Sequence, residues 1–447
     1  MKRILCLLLI LSLLTMPVCA AAGARDMLDS RERLIYDYLK ENILLVAKGE
    51  LLSTRFEAGS AVLRQWEQQG MEITFPAGSD TSTADLTRQF LAQFSMPDIM
   101  EALLHDLSYD LYWYDKTAGA GCFASISRVT DGDTATVSRL RITMPLVASY
   151  QNGSSTALNA EKTAVPRQAA ANAKAIVDKY AHLLDHQKLA AYSREICALA
   201  DYDPNILEGS YTEGFGDPWQ LINIFDGDPA TNVVCEAYAK AFQYLCDLSQ
   251  FDHARCYSVH GTLTDMIGPG SHMWNLVTME DGQTYLVDVT NSEPETIGAG
   301  GTLFLTGGEG TPETGYTMKP YKHYTMHYAY DPDSIALWGT DKDSILHVAA
   351  APYVYDANYT PKIALKQPVL TQDGVLVELD SNYRQTARLI TAFYRDGRLL
   401  SMTANTIATT ERSHTISLPN TDWDTCRVFL LDETTHAPLC ESSTFTK

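Results

Sequence analysis

The chain has 447 residues and a formal net charge of −21, with 55 acidic against 34 basic side chains. So acidic a protein repels nucleic acid and anionic lipid, which argues against both as partners. Its apolar fraction of 45% is ordinary for a globular protein and supplies enough material for real cores, and the length fits two or three domains.

Residues 1–20 read as a signal peptide. Lys2 and Arg3 make a basic start, residues 4–18 an apolar run too short to span a bilayer comfortably, and Val18-Cys19-Ala20 and Ala20-Ala21-Ala22 offer small residues for cleavage. A lipid anchor on Cys19 competes with this, but Val18 fits poorly where such anchors want a small residue. No later segment approaches the roughly eighteen unbroken apolar residues of a membrane-spanning helix. The mature chain is expected to be secreted or held at the cell surface. Of nine cysteines, Cys6 and Cys19 fall in the leader. Cys122, Cys197, Cys235, Cys246, Cys256, Cys426 and Cys440 remain, an odd number that points to at least one free thiol in an exported protein. Cys426 and Cys440 share the C-terminal region and are open to pairing or to burial as free thiols.

A helix is predicted over 26–48, where Leu34, Tyr38, Ile43 and Val46 recur on an approximately helical spacing, and shorter helices over 83–106. Residues 71–75 and 135–144 alternate like strands. The region 26–151 is therefore α+β, with no visible chemistry. Asp131-Gly132-Asp133 lacks the further ligands of a calcium loop and reads as a turn. Residues 152–166 are polar and turn-rich, the composition of a linker. A helical pair follows at 168–184 and 186–200, opening a domain over 168–345. Residues 298–316, rich in Gly and Thr, read as a loop and rim. Beyond about 352 the pattern becomes short alternating runs at 369–379, 387–394, 399–404, 414–418 and 426–431, separated by turn residues. This predicts an immunoglobulin-like β-sandwich over 352–447. The fold class as a whole is α+β.

The candidate chemistry lies between 217 and 290. Val234, Ala237, Tyr238, Ala241, Leu245 and Leu248 fall at three- and four-residue spacings and define an amphipathic helix of about fifteen residues. Residues 228–232 supply turn and capping types ahead of it. Cys235 then sits in the first turn, where free N–H groups and the helix dipole favour a thiolate. A small buried cysteine is the plainer alternative. His272 opens a strand-like run, Glu280-Asp281-Gly282 follows, and a second strand carries Asp288. A three-residue turn ending in Gly pairs Met279 with Gln283 and Trp274 with Asp288, which puts Asp288 on the face of His272. A two-residue turn shifts the register by one and sends Asp288 to the other face, leaving Asn275 as an alternative orienter. Thiol, imidazole and carboxylate are the parts of a nucleophile, its base and the group that orients the base. Trp219 and Gln220, fifteen residues or so upstream, carry donors suited to an oxyanion, and Trp274 is placed to shield the pair from water. His260 on the run 256–263 rivals His272 as base. His323 and His327 lie in an aromatic cluster, 321–330, without identifiable further metal ligands, so no metal is assigned.

The segments Val234-Cys-Glu-Ala-Tyr-Ala-Lys-Ala-Phe, His272-Met-Trp-Asn-Leu-Val and Tyr285-Leu-Val-Asp-Val-Thr resemble the three signature blocks of the transglutaminase-like superfamily. The resemblance covers roughly 168–292. It implies a papain-like α+β core in which Cys235 is the nucleophile, His272 the base and Asp288 the orienter, with no cofactor. Val234 departs from the family, where many members carry Gly before the cysteine. The layout of leader, core and β-rich tail is similar to surface or secreted proteins of Gram-positive bacteria.

The leading expectation is a secreted thiol enzyme acting on amide bonds of a protein or peptide substrate, cell-wall-associated material among the options, and hydrolytic rather than cross-linking. The alternative is an inactive transglutaminase-like module that binds or adheres at the cell surface.

Overall fold

The computed structural model describes residues 23–447 apart from 79–80, 116–121, 204–218, 229–230, 343, 358–362, 372–373, 382–385, 409–412, 421 and 434–435. The expected leader at 1–20, with Cys19, lies outside the described residues. The fold is α+β, and every sheet is antiparallel. One compact unit spans Ala24–Ala357, and Asn358–Lys447 belong to a second. Among the described residues no helix is long and apolar enough to cross a membrane.

The first unit begins with helix α1, Ser30–Ala47, which buries Ile35, Leu39, Ile43 and Val46 along one stripe. Asp29 and Glu32 cap it reciprocally, each side chain accepting from the other's end of the first turn. Strand β1 (Arg55–Gly59), α2 (Ser60–Gln68), β2 (Thr74–Pro76), α3 (Thr83–Leu91) and α4 (Met96–Asp106) follow, then the hairpin β3 (Phe123–Asp131) and β4 (Thr134–Thr143). All three other strands of this sheet pair with β4. Gly132 makes the hairpin turn at positive φ, so Asp131-Gly132-Asp133 is the turn its composition suggests. The stretch 152–166 is packed rather than free. Leu158 is buried and bonds Leu52 O, Ala157 bridges Ser53, and Pro166 is already inside α5 (Ala164–Tyr180). A turn-rich composition marks where the chain bends, and apolar Leu158 gives the bend a reason to stay down.

Helix α6 (Asp185–Leu199), α7 (Trp219–Phe225) and α8 (Cys235–Asp247) come next. A six-stranded sheet follows, formed by β5 (Arg255–Thr264), β6 (Pro269–Thr278), β7 (Thr284–Val287), β8 (Glu309–Thr311), β9 (Gly315–Tyr321) and β10 (Tyr324–Tyr330), with α9 (Pro332–Trp338) after it. The strand order is β7-β6-β5-β10-β9-β8. Helix α8 packs on β5 and β6 and is buried on nearly every side, with Ala237, Tyr238, Ala241, Phe242 and Leu245 inaccessible. Burying a side chain such as Phe242 or Leu245 is worth about 1.5–3 kcal/mol, so the helix that carries Cys235 is pinned by its own core stripe.

The second unit contains β11 (Ile363–Leu365), β12 (Val369–Leu370), β13 (Val375–Ser381), β14 (Thr386–Arg395), β15 (Arg398–Ala408), β16 (Ser413–Ile416), β17 (Thr425–Asp432) and β18 (Ser443–Thr446). Strands β11, β12, β13 and β16 make one sheet, and β15-β14-β17-β18 another. Val375, Val377 and Leu379 from the first share one apolar cluster with Leu389, Phe393, Val428 and Leu430 from the second. Cys426 and Cys440 are free thiols, as are Cys122, Cys197, Cys235, Cys246 and Cys256.

Candidate active site

Cys235 is the first residue of α8. The residue ahead of it, Val234, is extended and supplies no side-chain cap, having no acceptor to give. Among the described residues of the turn-and-cap segment 228–232, of which 229 and 230 lie outside the description, none gives the helix a side-chain cap. Asp226 instead closes the preceding turn, accepting from Asp228 N at 2.7 Å and Thr231 Oγ1 at 2.9 Å. The first turn of α8 therefore presents main-chain N–H groups and the positive end of the helix dipole beside the sulfur.

His272 lies on β6 opposite Gly261 of β5. A glycine is required there, because a Cβ at 261 would come within 2.0 Å of Ala329 O on β10. The β6–β7 turn is the three-residue form. Met279 N bonds Gln283 O at 3.0 Å, Thr278 pairs with Thr284, and Gly282 takes φ of 71°. Asp288, just past β7, consequently falls on the His272 face. His272 Nε2 lies 2.9 Å from Asp288 Oδ2, and the Cys235 side chain lies near enough to the same ring to favour its charged form. With Nε2 engaged by the carboxylate, Nδ1 is the nitrogen left for the sulfur.

The Asp288 carboxylate is fully buried and fully occupied. It accepts the Tyr328 hydroxyl at 2.8 Å, the Asn291 side-chain amide at 2.7 Å and the Asn291 main-chain N–H at 3.1 Å. Burial opposes its charge, but the His272 charge and hydrogen bond, with those from Asn291, hold it below the ordinary carboxylate value. Burial likewise opposes a charge on His272. The Asp288 carboxylate, its hydrogen bond and the neighbouring Cys235 outweigh it and lift His272 to about 10. At neutral pH the ring is an imidazolium facing the sulfur.

Trp274 stacks on the His272 ring, with centroids 6.2 Å apart and planes 19° from parallel, and packs edge-on to Tyr328. It is almost wholly buried and seals one side of the pair. Asn275 faces the other way. Its Nδ2 donates to Ala239 O of α8 at 2.9 Å and to Ser258 Oγ at 3.2 Å, so it ties sheet to helix and does not orient His272. Trp219 and Gln220 start α7, and their side chains lie outside the described residues. Tyr328 and Asn291 were not singled out from the sequence as site residues. Asn291 lies one helical turn past Asp288, a local spacing that marks it as a partner. Tyr328 comes from a strand forty residues away.

A scan against protein-family models finds no match, and a search of curated proteins finds no relative.

Cys235 and His272 open onto a cavity of about 950 Å³, within the size range of small-molecule and peptide subsites. The N-terminal region, in which the sequence showed no chemistry, builds one wall through Met96, Met100 and Glu101 of α4. Glu236 and Lys240 form a buried ion pair on another wall. His260, the rival base, also lines the cavity, but carboxylates hold both its nitrogens: Asp331 at Nδ1, 3.1 Å, and Glu101 at Nε2, 2.9 Å. Burial opposes its charge, and the two carboxylates raise it above the ordinary histidine value. Neither nitrogen is left to take a proton from a thiol. Among the described residues no group of three or more His, Cys, Asp or Glu is placed to hold a metal ion.

Proposed function

We propose that this protein is an exported thiol hydrolase that cleaves amide bonds in a protein or peptide, with a transglutaminase-like, papain-type core in the first unit and an immunoglobulin-like sandwich in the second. The observation that carries the reading is the convergence of Cys235 and His272 on one cavity, with His272 bound in turn to the buried Asp288.

The Cys235 sulfur, as an anion paired with the His272 imidazolium, adds to the substrate carbonyl. The C–S bond forms, the C–N bond breaks, and His272 gives its proton to the departing amine. Water then adds to the thioester while His272 takes its proton, and the acid leaves as the sulfur is freed. Asp288 keeps the ring oriented and stabilises its charge without taking a proton. A cavity of this volume beside the sulfur supports water, rather than a single threaded amine, as the acceptor.

The test is limited alkylation with iodoacetamide at pH 6, with the modified residues mapped by mass spectrometry. Cys122 is an internal control, because it lines the same cavity, has no imidazole partner and is pushed up to about 12 by burial. Cys235 is expected to label well ahead of Cys122, and His272→Ala to remove that lead. Equal labelling of the two in the unaltered protein would refute the reading.

A further inference from the structure

Tyr202 sits where an acyl-transfer site needs a second donor. Its backbone is fastened beside the nucleophile: it bridges Val233 in parallel, Asp203 N bonds Val233 O at 2.9 Å, and Val233 N bonds Asp201 O at 3.0 Å. Its ring lies parallel to that of Tyr238, one turn into α8, with centroids 6.5 Å apart and planes 10° from parallel. The side chain lines the same cavity as Cys235 and His272. Its phenol is close enough to Cys235 for the charge of that residue and its main-chain N–H both to act on it.

When a thiolate adds to a carbonyl, negative charge grows on an oxygen one bond from the carbon joined to sulfur. That oxygen falls near the N–H of the nucleophile's own residue, and one N–H does not suffice to hold it. We propose that Tyr202 is the side-chain donor that completes the oxyanion site of Cys235. In the free protein its phenol oxygen stands in for the substrate oxygen as acceptor of the Cys235 N–H. On binding, the substrate carbonyl takes that N–H, and the phenol turns its O–H onto the same oxygen. Burial, with the neighbouring Cys235 and Asp288 charges, raises Tyr202 well above the ordinary phenol value, so it stays a protonated donor through the neutral range. The proposal rests on the thiol reading of Cys235. It assigns to Tyr202 the role that the sequence had offered to Trp219 or Gln220.

Two reagents separate oxyanion stabilisation from thiol reactivity. Iodoacetamide alkylates sulfur by displacement and creates no oxyanion. p-Nitrophenyl acetate acylates it through one: the C–S bond forms, the oxyanion collapses, and p-nitrophenolate leaves with the bonding pair. With the full chain, Tyr202→Phe keeps the ring stack and removes only the hydroxyl. The burst of p-nitrophenolate and the rate of Cys235 acetylation should fall about 10²-fold, while alkylation of Cys235 at pH 6 stays within about twofold. An acylation rate equal to or above that of the unaltered protein overturns the proposal, the latter making Tyr202 a plug. Parallel loss of acylation and alkylation also overturns it, because Tyr202 would then be holding the sulfur and not the oxygen. If the unaltered protein shows no preferential alkylation of Cys235, the thiol reading itself fails, a result read before any variant is made.

Discussion

His260 on β5 and His272 on β6 line one cavity, one residue out of step across a pair of neighbouring strands, and carboxylates hold both rings. His272 meets one carboxylate, leaving its other nitrogen for a sulfur. His260 meets two, one on each nitrogen, and so joins β5 to α4 through Glu101 and to the start of α9 through Asp331. The same residue type, raised in the same direction, keeps one nitrogen free of carboxylates in one place, as the proposed base must, and in the other is held at both nitrogens as a strut. Counting perturbed histidines would have found both. Counting unoccupied nitrogens separates them.

The largest effect expected from breaking this contrast is at His272. His272→Ala should lower Cys235 acylation by p-nitrophenyl acetate by about 10³-fold, within the span of general acid–base and triad losses, measured as the p-nitrophenolate burst. A loss under tenfold would mean that the ring does not serve the sulfur. Asp288→Asn comes next, with about 10²–10⁴-fold slower acylation through the wrong ring tautomer. It also leaves a buried imidazolium without its anion, so a urea titration should show a stability loss of about 3–5 kcal/mol. Retained acylation with lost stability would make Asp288 purely structural.

The pair also sets a pH window. The folded value of His272, about 10, lies above the ordinary 6.5, so its contribution to stability is full below pH 6.5 and is lost as the pH rises through 10. Asp288 is held below its ordinary value, so its contribution is present above the ordinary carboxylate range and is lost as the pH falls through the lowered one. The unfolding free energy of the unaltered protein minus that of His272→Ala should therefore shrink steadily from pH 6.5 to 10. A flat difference over that range would contradict the ion pair.

Much of this site was legible because its decisive contacts are local. Met279, Glu280-Asp281-Gly282 and Gln283 specify the turn, the turn specifies the register, and the register puts Asp288 on the His272 face. The apolar stripe of α8 placed Cys235 at a helix start. The β runs after 352 were legible for the same reason, since alternation and turn residues are read within ten residues. Contacts made through non-consecutive strands were not. Tyr328 reaches Asp288 only because β10, paired on one side with its sequence neighbour β9, lies on the other beside the distant β5, and no spacing encodes that order. The wall from α4 is equally remote, more than 120 residues from Cys235 in sequence. Gly261 is the trace such contacts leave: a glycine within a strand, read only as part of the run 256–263, is where β10's backbone comes too close for any side chain. Gly261→Ala should cost about 1–3 kcal/mol and slow acylation as β10 carries the Tyr328 hydroxyl away from Asp288; a variant as stable as the parent would show that β10 yields freely.

The smallest effect tests the strut. His260→Gln keeps a hydrogen-bonding side chain of similar length but removes the charge between Glu101 and Asp331. The ring is a little more than a quarter exposed, so solvent screens part of the interaction, and the stability loss at pH 6 should be about 1–2 kcal/mol. Because the folded value is raised above 6.5, that loss should be full below pH 6.5 and vanish as the pH rises through the raised value, the opposite of what a carboxylate would give. Acylation of Cys235 should stay within about threefold, since the loosened α4 borders the cavity without touching the sulfur. A hundredfold loss of acylation at unchanged stability would reverse the assignment. It would mean that one of the two carboxylates releases His260 during turnover, and that the cavity holds a second proton carrier beside the one proposed.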